Sequence, residues 1–341
     1  MGRSTDSRTP SASRGLRLVV LVKQVPDTKN VTGEAMKEDG TVNRAALPAI
    51  FNPEDLNALE EALKLKDRCG GRVSVITMGP PAAVQVLRES LFRGADEVIL
   101  LTDRAFAGAD TLATSYTLAL AVRKLGDFDL VLCGRQAIDG DTAQVGPQTA
   151  EKLGLPQITC VSRIDELTLP GMEMAPATSQ APGKTSAPTG ETAESRGWVT
   201  ATRSIEGGFE TLRAPLPALL TVTSEANDPR PPSVKLVMTY KDIEAETQAD
   251  YDDAYLNPES DEAQVCMIDR NGRPVCKARV IQWDMEALGA DRELLGLRGS
   301  PTRVKNIDSV VLAQNAMRLV EPTDQGIAEL VRELTGEHIL G

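Results

Sequence analysis

The chain has one histidine, His338, in 341 residues. A Ser-His-Asp hydrolase or a multi-histidine metal centre would have to rest on that residue, which is expected on a frayed tail. Difficult chemistry, if the chain supports any, is therefore expected to be carried by a cofactor. Aromatic residues make up only 3%, which argues against stacking on nucleic-acid bases. Positive charge is in deficit: the formal net charge is −12, which disfavours nucleic acid and anionic membranes as partners. No apolar run reaches the ~20 residues of a membrane-spanning helix, so direct membrane insertion is not expected. There is no CxxC pair among the five cysteines, at 69, 133, 160, 266 and 276. They are read as reduced thiols of an intracellular protein, which gives a cytoplasmic location and no metal site. Cys266 and Cys276 flank Asn271-Gly272, a hairpin-turn signal, so they can face each other across a hairpin; a disulfide or metal role there is the alternative.

What the chain does have is enough apolar sequence, 41%, for a sizeable core. Its length fits about two domains or one large domain with insertions. Residues 1–15 are rich in Ser, Thr and Arg and suit a disordered tail; a short organellar transit peptide is the alternative. Strand and helix patterns then alternate. Strands are expected at 16–25, 72–78, 97–102 and 128–133, and helices at 53–69, 82–93 and 111–125. Asn52-Pro53-Glu54-Asp55 is a helix start, with Asn as N-cap, Pro in the first turn and acids beside the positive helix end. Four strands joined by helical crossovers imply an α/β fold, a doubly wound and mostly parallel sheet with helices on both faces.

Past Leu155 the pattern changes. A low-complexity insertion is expected over about 171–197. Gly183-Lys184-Thr185 looks like the end of a P-loop, but the first glycine and the preceding strand are missing. A hairpin is expected at 198–205 and 209–212, turning at Gly207-Gly208, followed by a strand at 218–222. Residues 242–264 carry nine acids and no base, so they are expected to be solvated and extended. A last helix is expected around 323–334. The expected division is a tail at 1–15, a nucleotide-binding α/β domain at 16–225, and a segment at 226–341. That last segment comprises a docking stretch, an acidic insertion at about 241–280 and a C-terminal arm.

The stretch at 129–149 concentrates the functional signal. A short apolar run, 130–133, ends at Gly134. A polar loop with Arg135, Gln136, Asp139, Asp141, Thr142 and Gln144 follows, and a helix starts near Gly146-Pro147. Open α/β sheets bind nucleotides at such places, where loop amides, an arginine and a helix N-terminus meet phosphate.

Four segments together resemble the β subunit of electron-transfer flavoproteins: 18–28 (LVVLVKQVPDT), 51–67, 73–80 and 129–156. The resemblance continues through 212–222 and reaches Trp283 and 296–302 (GLRGSPT). Residues 101–111 (LTDRAFAGADT) with 25–28 (VPDT) are similar to the electron-bifurcating branch. That resemblance implies FAD in the β subunit where ordinary members hold AMP, with NADH as electron donor. Electrons would leave to a low-potential carrier, ferredoxin or flavodoxin, and to the FAD of an α subunit. The chain would be no complete enzyme without that α subunit. The final acceptor would be an acyl-CoA dehydrogenase, another dehydrogenase or a quinone oxidoreductase. The alternatives are an ordinary β subunit with structural AMP, relaying electrons from acyl-CoA dehydrogenases, and a non-redox adenine-nucleotide-binding module.

The resemblance places the nucleotide against Val22 and Lys23, against Asn52, Pro53, Glu54 and Asp55, and against Met78 and Gly79. It also places it against the loop of Gly134, Arg135, Gln136, Ala137, Ile138, Asp139, Gly140, Asp141, Thr142, Ala143, Gln144 and Val145. Phe106, Ala107, Gly108, Ala109, Asp110 and Thr111 become the NADH or flavin-ring loop, and Asn227, Pro229, Arg230 and Val234 the partner-docking residues. No residue is expected to act as an acid or base. Arg135 can pair with pyrophosphate or sit near the flavin ring. Asp139 and Asp141 cannot both face phosphate, so ribose hydroxyls or helix caps suit at least one of them better. Without the resemblance, Asn52 reads as an N-cap, Gly79 and Gly134 as turn glycines, Lys23 as a solvated charge, 106–111 as a loop with an N-cap, and Trp283 as packing. One departure concerns Ser204, which stands where ordinary members carry an acid.

Overall fold

The computed structural model describes residues 15–27, 48–169, 172–173, 197–247, 266–268, 274–276, 280–302 and 320–336. These divide into two units, one with the described residues up to 302 and one with residues 320–336.

The first unit is organised by strands that are apolar on both faces. In β1 (Leu16–Val22), Leu16, Leu18, Val20 and Val22 enter one hydrophobic core while Val19 and Leu21 enter another. Successive strand side chains point to opposite faces, so such a strand needs cover on both. Helices α1 (Pro53–Cys69) and α2 (Val84–Arg93) supply Leu59, Leu63, Leu87 and Leu91 to the first core. Helices α3 (Thr111–Leu125) and α4 (Val145–Leu153) supply Leu118, Val122 and Ala150 to the second. Each such leucine or valine, fully buried, contributes roughly 1.5–3 kcal/mol. The expected layering, helices on both faces of a mostly parallel sheet, is present.

The remaining strands follow in chain order. β2 (Gln24–Pro26) and β3 (Ala49–Phe51) form a separate antiparallel ribbon. β4 (Gly71–Met78), β5 (Glu97–Leu101) and β6 (Leu130–Gly134) line up parallel with β1 in the order β6-β1-β4-β5. β7 (Gln157–Leu169), with the short β8 (Met172–Glu173) antiparallel to it, is joined by the hairpin β9 (Trp198–Ile205) and β10 (Gly208–Pro215). β11 (Ala218–Val222) lies parallel between β7 and β6. Helix α5 (Val234–Tyr240) follows. β12 (Ala245–Thr247) and β15 (Val280–Trp283) then extend the sheet beyond β5. The sheet order is β10-β9-β7-β11-β6-β1-β4-β5-β15-β12. β13 (Cys266–Ile268) and β14 (Pro274–Cys276) pair on their own, with Cys266 opposite Cys276 in the register, as the turn signal between them suggests.

Two differences from the sequence reading stand out. The first strand stops at Val22 and pairing resumes in the ribbon after Lys23, where the backbone N–H is taken by a side chain instead. Within 226–302, two strands belong to the main sheet rather than to an insertion or arm, because β15 pairs with β5 along its whole length. Trp283 is buried in the second core beneath the Lys124 ammonium, 5.3 Å from its ring centroid. Residues 1–14, 174–196, 248–265 and 269–273 and His338 lie outside the described residues. In the second unit, helix α6 (Asp324–Gly336) exposes Ile327, Leu330 and Val331, which share one face at helical spacing. Among the described residues no helix is long and apolar enough to cross a membrane, and no cluster of His, Cys, Asp and Glu could hold a metal.

Candidate cofactor-binding site

Because β1, β4 and β6 run parallel, their C-terminal ends at Val22, Met78 and Gly134 share one edge of the sheet. The connections leaving β1 and β6 diverge: α1 packs on one face and α4 on the other. A crevice opens at such a switch point, where ligands of open α/β sheets bind.

The first turn of α1 builds one wall. Asn52 occupies the N-cap position as expected, but its side chain caps nothing. It is fully buried, and its amide bridges the loop after β6, donating to Gln136 O at 2.9 Å and accepting from Ile138 N at 3.2 Å. Glu54 accepts the Gln136 N–H at 3.0 Å and pairs with the Arg135 guanidinium at 3.0 Å. Asp55 accepts from Gly134 N at 2.9 Å and from Lys23 N at 2.8 Å, tying the ends of β6 and β1 together. Burial pushes the Asp55 carboxyl up to about 7, against the lowering effect of its hydrogen bonds from Gly134, Asn52 and Lys23 and of the Lys23 charge. Pro53, without an N–H, fits the first helical turn. Three of the four residues in this helix start therefore support the loop rather than face outward.

The loop at 135–144 forms the other wall. Lys23 Nζ holds both carboxylate oxygens of Asp139 at 2.7 Å, and Gln136 Nε2 donates to Asp141 Oδ1 at 2.9 Å. Neither aspartate caps a helix. Ala137 O accepts from Gly140 N at 3.3 Å and Asp141 N at 2.9 Å, closing the turn. Asp141 (φ 48°) and Ala143 (φ 52°) are both left-handed. Non-glycine residues held there cost of order 1–3 kcal/mol each, and such strain concentrates at ligand clamps. The N-terminus of α4, at Val145, receives no side-chain cap from Gln144, so its first-turn amides are left for another acceptor. Thr142 and Gly140 are exposed on the loop. Close approach is built in: a Cβ on Gly134 would lie 2.6 Å from Asp55 Oδ1, and one on Gly79, next to Met78, 2.9 Å from Ala83 Cβ. Arg135 is buried at Nε, which has no partner.

The 106–111 loop adjoins this wall. Thr111 Oγ1 donates to Gln144 Oε1 at 2.9 Å. Phe106 is buried in the second core, while Ala107 and Gly108 are exposed and Ala109 is partly so. Asp110 N-caps α3 through Leu112 N and Ala113 N, as the plain reading of this loop expects. Ser300 and Thr302, which the sequence reading left out of the site, bind Asp110 from the far end of the unit. Their only sequence signal was that 296–302 fell within the family resemblance. Thr77 was also missed: its hydroxyl is fully buried at the end of β4 without a partner, and nothing in a β-branched strand residue announces that.

The expected docking residues lie on the α1 side, away from the cradle loop. Asn227 Nδ2 donates to Asn57 O at 3.0 Å and Glu61 Oε1 at 2.9 Å. Arg230 is held by Glu60 at 2.8 Å and Asp67 at 2.8 Å. Pro229 lies between them. Val234 opens α5 and is 79% exposed, with Met238 65% exposed one turn on. Ser204 donates to Glu225 Oε2 at 2.9 Å, which brings a carboxylate to the position that lacks the acid.

A phosphate-bearing nucleotide suits this donor set. The uncapped α4 terminus and the partly exposed Arg135 guanidinium suit phosphates. The electron transfer flavoprotein domain model matches residues 39–252. The chain is 38% identical to an electron transfer flavoprotein subunit beta of Clostridium acetobutylicum, covering 95% of this chain and 100% of that one. It is 38% identical to the caffeyl-CoA reductase-Etf complex subunit CarD of Acetobacterium woodii, over 95% and 100% of the two chains. It is 36% identical to the protein FixA of Azorhizobium caulinodans, over 93% and 94%.

Proposed function

The chain belongs to the electron transfer flavoprotein family, among its β subunits, and from that premise we propose that it holds FAD in the cradle and serves electron bifurcation from NADH. It would do so only when paired with an α subunit. Bound there, FAD would supply two-electron acceptance from NADH and one-electron release, to ferredoxin or flavodoxin and to the FAD of the α subunit. The chain's own residues bind and orient. Asn52, Glu54 and Asp55 fix the loop, Arg135 brings a cation to the cofactor, and the α4 N-terminus offers amides to phosphate. The observation that carries this reading is the Thr111–Gln144 hydrogen bond, which sets the 106–111 loop against the cradle where a donor nucleotide would have to approach. Likeness to a subunit of a caffeyl-CoA reductase complex supports an acyl-CoA dehydrogenase or related reductase as the final partner.

The test is to purify the α–β complex and identify its nucleotides. Two FAD per heterodimer and direct flavin reduction by NADH are expected. One FAD plus AMP, with no reduction by NADH, would make this an ordinary relay subunit.

A further inference from the structure

Asp110 has every oxygen position engaged. Oδ1 accepts from Leu112 N at 2.9 Å and Ala113 N at 3.0 Å, which caps α3. Oδ2 accepts from Thr302 N at 3.1 Å and Thr302 Oγ1 at 2.7 Å. Its own N–H donates to Ser300 Oγ at 2.8 Å, and the Ser300 hydroxyl, buried, donates on to Gly296 O at 2.6 Å. Leu297 N donates to Ala107 O at 3.1 Å. Gly296 sits at φ 51°, and a Cβ there would overlap the Ala105 carbonyl oxygen. Upstream, Met285 N donates to Asp103 Oδ2 at 3.1 Å, and Leu295 is buried in the same core as Phe106. So the 284–302 segment lies over the whole of the 103–111 loop, and Asp110 is where they lock.

We propose that Asp110 is a positioning residue: it latches 296–302 onto the 106–111 loop, so that the loop offered to the electron donor takes its shape from a segment 190 residues away in sequence. This rests on the reading of 106–111 as the donor-side loop. A single aspartate performs two tasks. One oxygen fixes the direction of α3, and Thr111 on that helix's first turn reaches Gln144 of the cradle; the other oxygen fixes the strap. Burial raises the Asp110 carboxyl, but hydrogen bonds from Thr302 Oγ1, Ala113 N, Thr302 N and Leu112 N outweigh it and hold the group below the ordinary aspartate value. The latch therefore stays ionised across the neutral range.

The experiment is a double-mutant cycle in the purified α–β complex using Asp110→Ser, Thr302→Val and both. Serine retains a cap for α3 but has no second oxygen for Thr302. Two readouts are taken, amide hydrogen exchange without nucleotide and the steady-state parameters for NADH. Each single variant is expected to raise exchange in both 104–111 and 296–302 by about tenfold, the scale of one lost charge-assisted hydrogen bond. Each is expected to raise KM for NADH several-fold with kcat little changed, and the double variant to be no worse than Asp110→Ser alone. If Thr302→Val loosens 296–302 and leaves 104–111 untouched, or if the two effects simply multiply, the latch is refuted. If NADH reduces no form of the complex, the donor reading fails instead, and the exchange arm still decides whether the latch exists.

Discussion

Gly134 donates its backbone N–H to Asp55 Oδ1 at 2.9 Å, and a Cβ on Gly134 would stand 2.6 Å from that same oxygen. The end of β6 can meet the first turn of α1 only because no side chain intervenes. Gly134→Ala is expected to push the loop off Asp55, with a loss of about 2–4 kcal/mol from overpacking and the broken hydrogen bond. Chemical denaturation of the complex, together with its FAD content, checks this. An unchanged midpoint and full FAD content would show that the contact is not required.

The pH response of Asp55 has a definite sign. Its folded value, about 7, stands above the ordinary 3.8, so folding favours the protonated carboxyl. Its contribution to stability is complete below about pH 4 and is lost as the pH rises through 7, a span of roughly 4 kcal/mol at most. Asp55→Asn removes the titration. The stability difference between wild type and variant, measured from pH 4 to 8, should fall steadily with rising pH; a flat difference would mean that Asp55 is ionised throughout.

Arg135 is 41% exposed at its side chain, so its ion pair with Glu54 adds little to stability, about 0–1 kcal/mol. Arg135→Ala should therefore leave the unfolding midpoint nearly unchanged while weakening FAD retention or shifting the flavin potential. Nucleotide analysis and a redox titration separate the two effects. If both are unchanged, Arg135 is a surface cation and nothing more.

Arg230→Met would strip Glu60, which is buried, of its cation. Leaving a buried carboxylate unpaired costs about 3–5 kcal/mol, discounted here because Arg230 is itself 30% exposed. The docking segment should loosen from α1, raising the KM of a partner dehydrogenase for the complex by about tenfold or more, while FAD content stays normal. A normal KM would show that Val234 and its neighbours are not the docking surface.

Much of the fold was legible because its strands are short apolar runs between glycine-rich stops. The runs in β1, β4, β5 and β6 cannot be half-exposed, and helices must then cover both faces. The site was legible at the level of segments. The strand–Gly134–polar loop pattern located the crevice, and Asn52–Asp55 located the helix that lines it. The role of each residue in the crevice was less visible. Asn52 looked like a cap and is a brace across 84 residues of sequence. Arg230 looked like a docking cation and is bound to α1. A cap and a brace have the same local sequence, and only the partner distinguishes them.

The sequence by itself determined the sheet's parallel centre and the helix starts, because both follow from local composition and period. The tertiary structure alone decided which acids are structural. Glu54 and Asp55 read equally as first-turn acids beside a helix dipole. Folding buries both against the loop after β6 and gives each a backbone N–H to hold. It also decided that 296–302 closes over 106–111, since Asp110 and Thr302 meet only when the chain returns to α3 by way of β15. Contacts of that range carry no periodic signal. They exist because carboxylate oxygens and amides that the fold brings together hydrogen-bond to each other.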